Sequence, residues 1–492
     1  MSTSRITKIF SLSLVQNINL VVSIITTMIF ARLLTKQDLA TYKQTFLAYE
    51  FLVPLLTLGL PEALFYFLPQ NKRHERHLVL DNMLLLFIMG IFFFLFLLFG
   101  GTNVISLRFN NPELNKTLKY LIFYPILSFP IMSISSILLV KEKVKLLSIW
   151  NILSNILLTV SLLVVCLITK NYIFLVYIRI LFAFFFLVSI CIILNCILSK
   201  TLVKYKPDLI SMKEMLLYAI PLGLSTLLGQ LSIQLDKVIV SIMTTPEQFI
   251  SYANGAIQIP IIGTITGAIS SIIIVDFVKY HKENNNIAII DLFHNAARKS
   301  AIIIFPAMIF LLFWGDIFII CLYSDKYIES ILPFRLYLLI LPIRIVQYGP
   351  VLMAIGKSKN IFYRSIGDLL INLVLSVLLV YFIGMMGAVI ATIITLYLWT
   401  VPYNMRVISK NINISFWNVL PFKTLLKKFI LSLICILPTI PFRKIIIINN
   451  NFLLLFISFF IYCGFIIFIF YIFDSDFKQL SFSIYSKLKS KI

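Results

Sequence analysis

Residues 83–99 read MLLLFIMGIFFFLFLLF, an uninterrupted stretch without a charged or polar side chain, and runs of this kind recur along the whole chain. A helix needs about 20 apolar residues to cross about 30 Å of hydrocarbon. Segments of that kind lie near 9–31, 42–68, 80–101, 118–140, 148–168, 173–198, 214–242, 251–277, 297–321, 332–354, 362–383, 385–408, 424–446 and 450–473. They are apolar on every face, whereas the strands of a membrane barrel alternate with a period of two. Since 60% of the 492 residues are hydrophobic and only 13% charged, lipid must be the main solvent. The expected fold is all-α, a polytopic membrane bundle of about 14 transmembrane helices. The longest polar connector, 277–296, and the basic tail, 474–492, are each near twenty residues. Neither holds a soluble catalytic domain, so the chain is not expected to be an enzyme.

A net charge of +22 would suggest nucleic acid or acidic partners if it formed one patch. Instead it alternates between connectors. One side takes Arg5, Lys8, Lys72, Arg73, Arg76, Lys141, Lys143, Lys145, Lys200, Lys204, Lys206 and Lys213, and the later connectors on that side follow suit down to Lys487, Lys489 and Lys491. In all that side carries 28 of the 42 lysines and arginines, the other carries ten, and four sit inside apolar stretches. The positive-inside rule then places both termini in the cytoplasm. The charge records topology, and no nucleic-acid partner is expected.

Arg5 and Lys8 precede an apolar run, as in a signal peptide, but the run is too long and lacks a small-x-small cleavage site. It reads as the first membrane helix. The six cysteines, Cys166, Cys191, Cys196, Cys321, Cys435 and Cys463, fall within or beside apolar segments, without a CxxC pair or a neighbouring histidine at metal spacing. They read as small packing residues, and no metal site is expected.

Internal repetition is visible in two octets, TKQDLATY at 35–42 and TPEQFISY at 245–252. Thr35 aligns with Thr245, Thr41 with Ser251 and Tyr42 with Tyr252, and each octet joins the first helix of one half to the second. Six helices per half give both halves the same orientation, as in repeats about an axis along the membrane normal. The expected organisation is an N-terminal lobe over 1–198, a C-terminal lobe over 199–408, and 409–492 as two added helices with a basic cytoplasmic tail.

IFARLLTKQDLATYKQ (29–44), LTLGLPEALFYFLP (56–69) and LLYAIPLGLSTLLGQLSIQLDKVIVSIMTTPEQFISYA (216–253) together resemble a known family. It is that of the lipid-linked oligosaccharide and polysaccharide flippases of the multidrug/oligosaccharidyl-lipid/polysaccharide exporter superfamily. Ser241 stands where that pattern has glycine, and Thr244-Thr245-Pro246 replaces its Gly-Pro turn. The resemblance implies two six-helix lobes around a central cavity. It also implies transport of an undecaprenyl-diphosphate-linked oligosaccharide repeat unit from the cytoplasmic to the outer leaflet by alternating access, for surface polysaccharide, lipopolysaccharide or O-antigen biosynthesis in a bacterial inner membrane. Its partners would be membrane lipids, the lipid-linked glycan, and a polysaccharide polymerase and chain-length regulator. No cofactor is implied, and any coupling would be to an ion gradient or the membrane potential.

An ionisable group at the centre of a membrane helix costs roughly 2.5–3.5 kcal/mol, so each one needs a reason. Arg344, deep in the run 332–354, is expected either to face a water-filled cavity and contact the diphosphate or to pair with Asp368 or Glu62. Arg179, a few residues inside its helix, and Lys237, near the end of its own, read either as cavity cations or as side chains snorkelling to the interface. Glu50, Glu62, Asp236 and Asp368 read as coupling acids or as charge partners. Gln16, Asn17 and Asn19, with Gln230 and Gln234, would form polar stripes at equivalent places in the two halves, for hydrogen bonding between helices or for glycan contact.

Prolines inside the runs, among them Pro54, Pro61, Pro221, Pro260 and Pro306, with Gly59, Gly223, Gly263 and Gly267 close by, would let helices bend. Two other functions fit the same pattern of helices. A drug/cation antiporter of the superfamily would prefer a carboxylate-lined cavity and twelve helices. A non-transport scaffold of a glycan-assembly complex would not need charges within the membrane.

Overall fold

The computed structural model describes residues 2–70, 75–198, 205–257, 259–445 and 450–489, and all regular structure among them is helical. The chain forms two compact units, Met1–Ile250 and Ser251–Ile492.

In the first unit, α1 (Ser2–Leu33) leads into α2 (Lys36–Thr57) through Thr35. Its hydroxyl oxygen accepts the Asp38 N–H at 3.1 Å and its O–H reaches the Asp38 carboxylate at 2.7 Å, a cap that satisfies an end donor of the helix. α2 stops because Leu58 and Gly59 take positive φ values of 48° and 76°, and α3 (Leu60–Gln70) restarts at Pro61. At this break the buried Asn82 donates to the Leu60 carbonyl at 2.8 Å and accepts from Ser133 at 2.7 Å. Asn82 belongs to α4 (Glu75–Phe96), which gives way at Gly100 to α5 (Thr102–Arg108).

α6 (Pro112–Tyr120), α7 (Tyr124–Ile131) and α8 (Ser133–Val140) run on as one apolar stretch, followed by α9 (Val144–Thr169) and α10 (Tyr172–Ile197). α11 (Leu209–Met243) packs on α2 and α3 and is capped by Asp208, whose carboxylate accepts two backbone N–H groups. Before it, Tyr205 donates to Asp81 at 2.7 Å, and burial and that carboxylate hold the phenol above its ordinary range. α12 (Pro246–Gly255) begins with a second reciprocal cap: Thr245 Oγ1 accepts the Gln248 N–H, and Gln248 Oε1 accepts the Thr245 N–H, both at 3.3 Å. Both octets seen in the sequence are thus capped helix starts.

The second unit continues with α13 (Pro260–Lys282) and the 38-residue α14 (Asn286–Tyr323), against which much of the unit packs. α15 (Ile331–Leu338), α16 (Tyr348–Ala354), α17 (Ser358–Ile383), α18 (Met386–Thr395) and α19 (Val401–Ile412) follow. The added segment comprises α20 (Phe422–Ile436), α21 (Ile440–Ile445), α22 (Asn451–Phe473) and α23 (Ser475–Lys489). Trp314, Phe310 and Tyr462 form the core between α14, α20 and α22, with Trp314 fully buried and donating to Thr439 at 3.3 Å.

Among the described residues nine helical stretches are long and apolar enough to cross a membrane. The other expected crossings coincide with segments described only in part or with interrupted helices. The expected helix over 332–354 is one of the interrupted ones: α15 passes into a 3₁₀ turn, Leu341–Ile345, then an extended link at Val346 and Gln347, before α16. Pro342 cannot donate the helical bond at its position, and Pro350 restricts the residue before it.

Candidate functional site

Glu50 sits near the middle of the membrane-crossing stretch Lys36–Gln70 and is exposed. A carboxylate at that depth is costly in hydrocarbon and calls for polar partners. Gln234 of α11 donates to its Oε2 at 3.1 Å, and Arg179 and Lys237 lie within electrostatic reach.

Arg179, from α10, is fixed by aromatic groups of α2. Its Nε donates to the Tyr42 hydroxyl at 2.8 Å, and its guanidinium carbon stands 4.2 Å from the centre of the Phe46 ring. Such stacking stabilises a desolvated guanidinium. Tyr42 and Phe46 are one helical turn apart, so a single face of α2 holds the cation while Glu50, two turns past Tyr42, presents the acid. Lys43, also on α2, lies within electrostatic range of Lys237. Arg179 and Lys237 therefore lie beside one carboxylate. The neighbouring Asp236 is buried and caps the Lys237 N–H at 2.8 Å; consecutive helical residues point about 100° apart. The arrangement offers guanidinium and ammonium donors to an anion, with an amide and a carboxylate beside them for hydroxyl groups.

The structure thus brings Arg179, Lys237 and Glu50 together within the first unit. Glu62 lies in the first turn of α3, half-buried. In the second unit Arg344 occupies the 3₁₀ turn and not the middle of a helix, with its side chain exposed. Asp368 pairs with Arg364 one turn away at 3.6 Å and accepts the Thr400 hydroxyl at 2.6 Å. Asn372 donates to Thr392 at 3.1 Å and accepts from Ser376 at 2.9 Å, so this polar stripe is used for packing between α17 and α18. Gln230 is exposed. The side chains of Gln16 and Asn17 lie outside the described residues, and Asn19 is half-buried.

Two features escaped sequence reasoning. Lys43 lies within electrostatic range of Lys237, a proximity that its place soon after the Thr35 cap conceals. Ser241, the departure from the family's glycine, accepts from Gln44 at 2.9 Å. Gln44 in turn accepts from Asn111 at 2.6 Å, and Asn111 also donates to Thr41 at 2.9 Å. All four side chains are buried. The repeat partner of Thr41, Ser251, donates to Glu329 at 2.9 Å in the second unit. Among the described residues no group of three or more His, Cys, Asp or Glu gathers as metal ligands.

Comparison with known proteins adds three findings. Residues 6–277 match the model of a family described as polysaccharide biosynthesis protein. No curated protein sequence matches the chain. Several solved structures share its fold: a lipid II flippase MurJ in an inward closed conformation has a TM-score of 0.73 at 17% identity, covering 94% of this chain and 98% of that one. An inward-facing multidrug resistance transporter of the MATE family and MOP superfamily has a TM-score of 0.63 at 15% identity, over 82% of this chain and 99% of that one. A MOP superfamily transporter from Pyrococcus furiosus, described as having a binding pocket of reverse polarity, has a TM-score of 0.56 at 15% identity, over 82% and 96% of the two chains.

Proposed function

Because the chain belongs to the polysaccharide biosynthesis protein family, we propose that it is a flippase moving an undecaprenyl-diphosphate-linked oligosaccharide repeat unit from the cytoplasmic to the outer leaflet of a bacterial membrane by alternating access. The observation that carries this reading is the pair of cations Arg179 and Lys237 beside Glu50. An excess of cations within the membrane-crossing helices suits a diphosphate and repels a cationic drug. The fold shared with a lipid II flippase supports a lipid-linked cargo. In this reading Arg344 is a further contact for the diphosphate, and Glu50 and Asp368 are candidates for coupling to an ion gradient. Both termini are cytoplasmic, residues 1–198 and 199–408 act as the two lobes, and a polymerase and chain-length regulator receive the product.

Deletion of the gene tests the proposal. Loss of surface polysaccharide with accumulation of lipid-linked repeat units on the cytoplasmic side is expected. Normal surface glycan without accumulation, in a strain with no second flippase, would sink it.

A further inference from the structure

α14 carries an ion cluster toward each of its ends. At one, Arg298 lies 3.6 Å from Asp476, and the fully buried Lys428 lies 3.0 Å from Asp476 and 2.6 Å from Asp474. At the other, Asp316 faces Arg335 at 3.5 Å and is in close contact with Arg443. Arg298 and Asp316 are eighteen residues apart, a helical rise of about 27 Å, close to the thickness of about 30 Å of the hydrocarbon layer. The two clusters therefore stand at opposite boundaries of the membrane.

They differ in charge balance. Two cations meet two carboxylates around Lys428, and that cluster is closed. Around Asp316 two guanidinium groups share one carboxylate, and the side chains of Arg335 and Arg443 remain 37% and 35% exposed. Arg443 is held in place by the Phe313 carbonyl at 3.0 Å and by the rings of Phe313 and Trp314, at 5.6 and 5.9 Å from its guanidinium carbon. Arg335 is held only at the outer limit of an ion pair, its Nε is buried without an acceptor, and the rest of its guanidinium is partly exposed. Leu332 and Leu339, three residues before and four after Arg335, are exposed beside it.

One uncompensated positive charge, on partly exposed guanidinium groups with an apolar flank, lies at the layer where lipid phosphates are concentrated. Guanidinium groups bind phosphate through paired hydrogen bonds. We propose that Arg335 and Arg443 form a binding site for the phosphate of a lipid headgroup, with the lipid chains lying along Leu332 and Leu339. The site belongs to the second unit and does not depend on the transport reading above. The phosphate can come from a membrane phospholipid or from a polyprenyl diphosphate.

Native mass spectrometry of the purified full chain, offered phosphatidylglycerol, undecaprenyl diphosphate or phosphatidylcholine, separates these sources. The wild type is expected to retain one or both anionic lipids, and the R335Q/R443Q variant at least about tenfold less. Lys116→Gln, at an exposed pair with Glu113, serves as the control and leaves retention unchanged. Should the double variant fail to fold, Arg335→Gln alone and Asp316→Asn carry the test, because the first lowers the local charge and the second raises it. Retention is expected to fall in R335Q and to rise in D316N. Equal retention by the wild type and the arginine variants, or a fall in D316N, overturns the site, and either result leaves the transport proposal standing.

Discussion

Gly59 and Gly223 meet backbone against backbone: a Cβ on Gly59 would stand 2.8 Å from the Gly223 Cα, and one on Gly223 would stand 2.2 Å from the Leu58 carbonyl carbon. The contact joins the break between α2 and α3 to α11, and Gly59 also has a φ of 76° that side chains disfavour. Gly223→Ala is expected to destabilise the first unit by about 1–3 kcal/mol through overpacking against main chain that cannot yield. A fall in the melting temperature of the purified protein checks this, and Gly229→Ala, with open space around its Cβ, should leave the melting temperature nearly unchanged.

Arg179→Ala removes both a charge and the group stacked on Phe46. Transport is expected to fall by at least about tenfold, the loss of one charge-assisted interaction of about 1.5–3 kcal/mol. Arg179→Lys should recover only part of it, since an ammonium cannot reproduce the stacked, planar contact. Export by a deletion strain carrying each variant, normalised to membrane abundance, gives the comparison.

Arg344→Ala removes an exposed side chain from a 3₁₀ turn, so membrane abundance should stay at the wild-type level while export is lost. Full export by this variant would remove Arg344 from the substrate path. The same assay applied to Glu50→Gln separates binding from coupling: a neutral amide preserves the hydrogen bond with Gln234 but ends any proton or cation exchange at the carboxylate.

Lys428→Met leaves Asp474 without its buried cation and Asp476 with only Arg298. The expected destabilisation is about 3 kcal/mol, the lower end for breaking a buried ion pair. Adding Asp474→Asn should restore part of it, because the uncompensated carboxylate is then gone. Thermal unfolding of the single and double variants measures the difference, and equal melting temperatures for the wild type and K428M would contradict the burial of this pair.

Much of the fold was legible because its causes are local. The apolar runs announced membrane helices by length alone, and the two octets could be matched because Thr35, Thr41 and Tyr42 recur as Thr245, Ser251 and Tyr252. One basic residue was misread for the opposite reason. Arg344 was placed deep in a continuous helix that the structure ends at Leu338. That Lys428 is fully buried against Asp474, forty-six residues away, could not be read from its connector.

Solvent preference and short-range hydrogen bonding act over one or two helical turns, so the sequence by itself determined that this chain is an all-helical membrane protein and where several of its helices begin. Only the tertiary structure decided which charges meet. Arg179 and Tyr42 are 137 positions apart, Gln234 and Glu50 184, and no periodicity spans such separations. What joins them is the packing of α10 and α11 against α2, in part through the glycine contact at Gly59 and Gly223, where main-chain atoms approach closely because neither residue has a side chain.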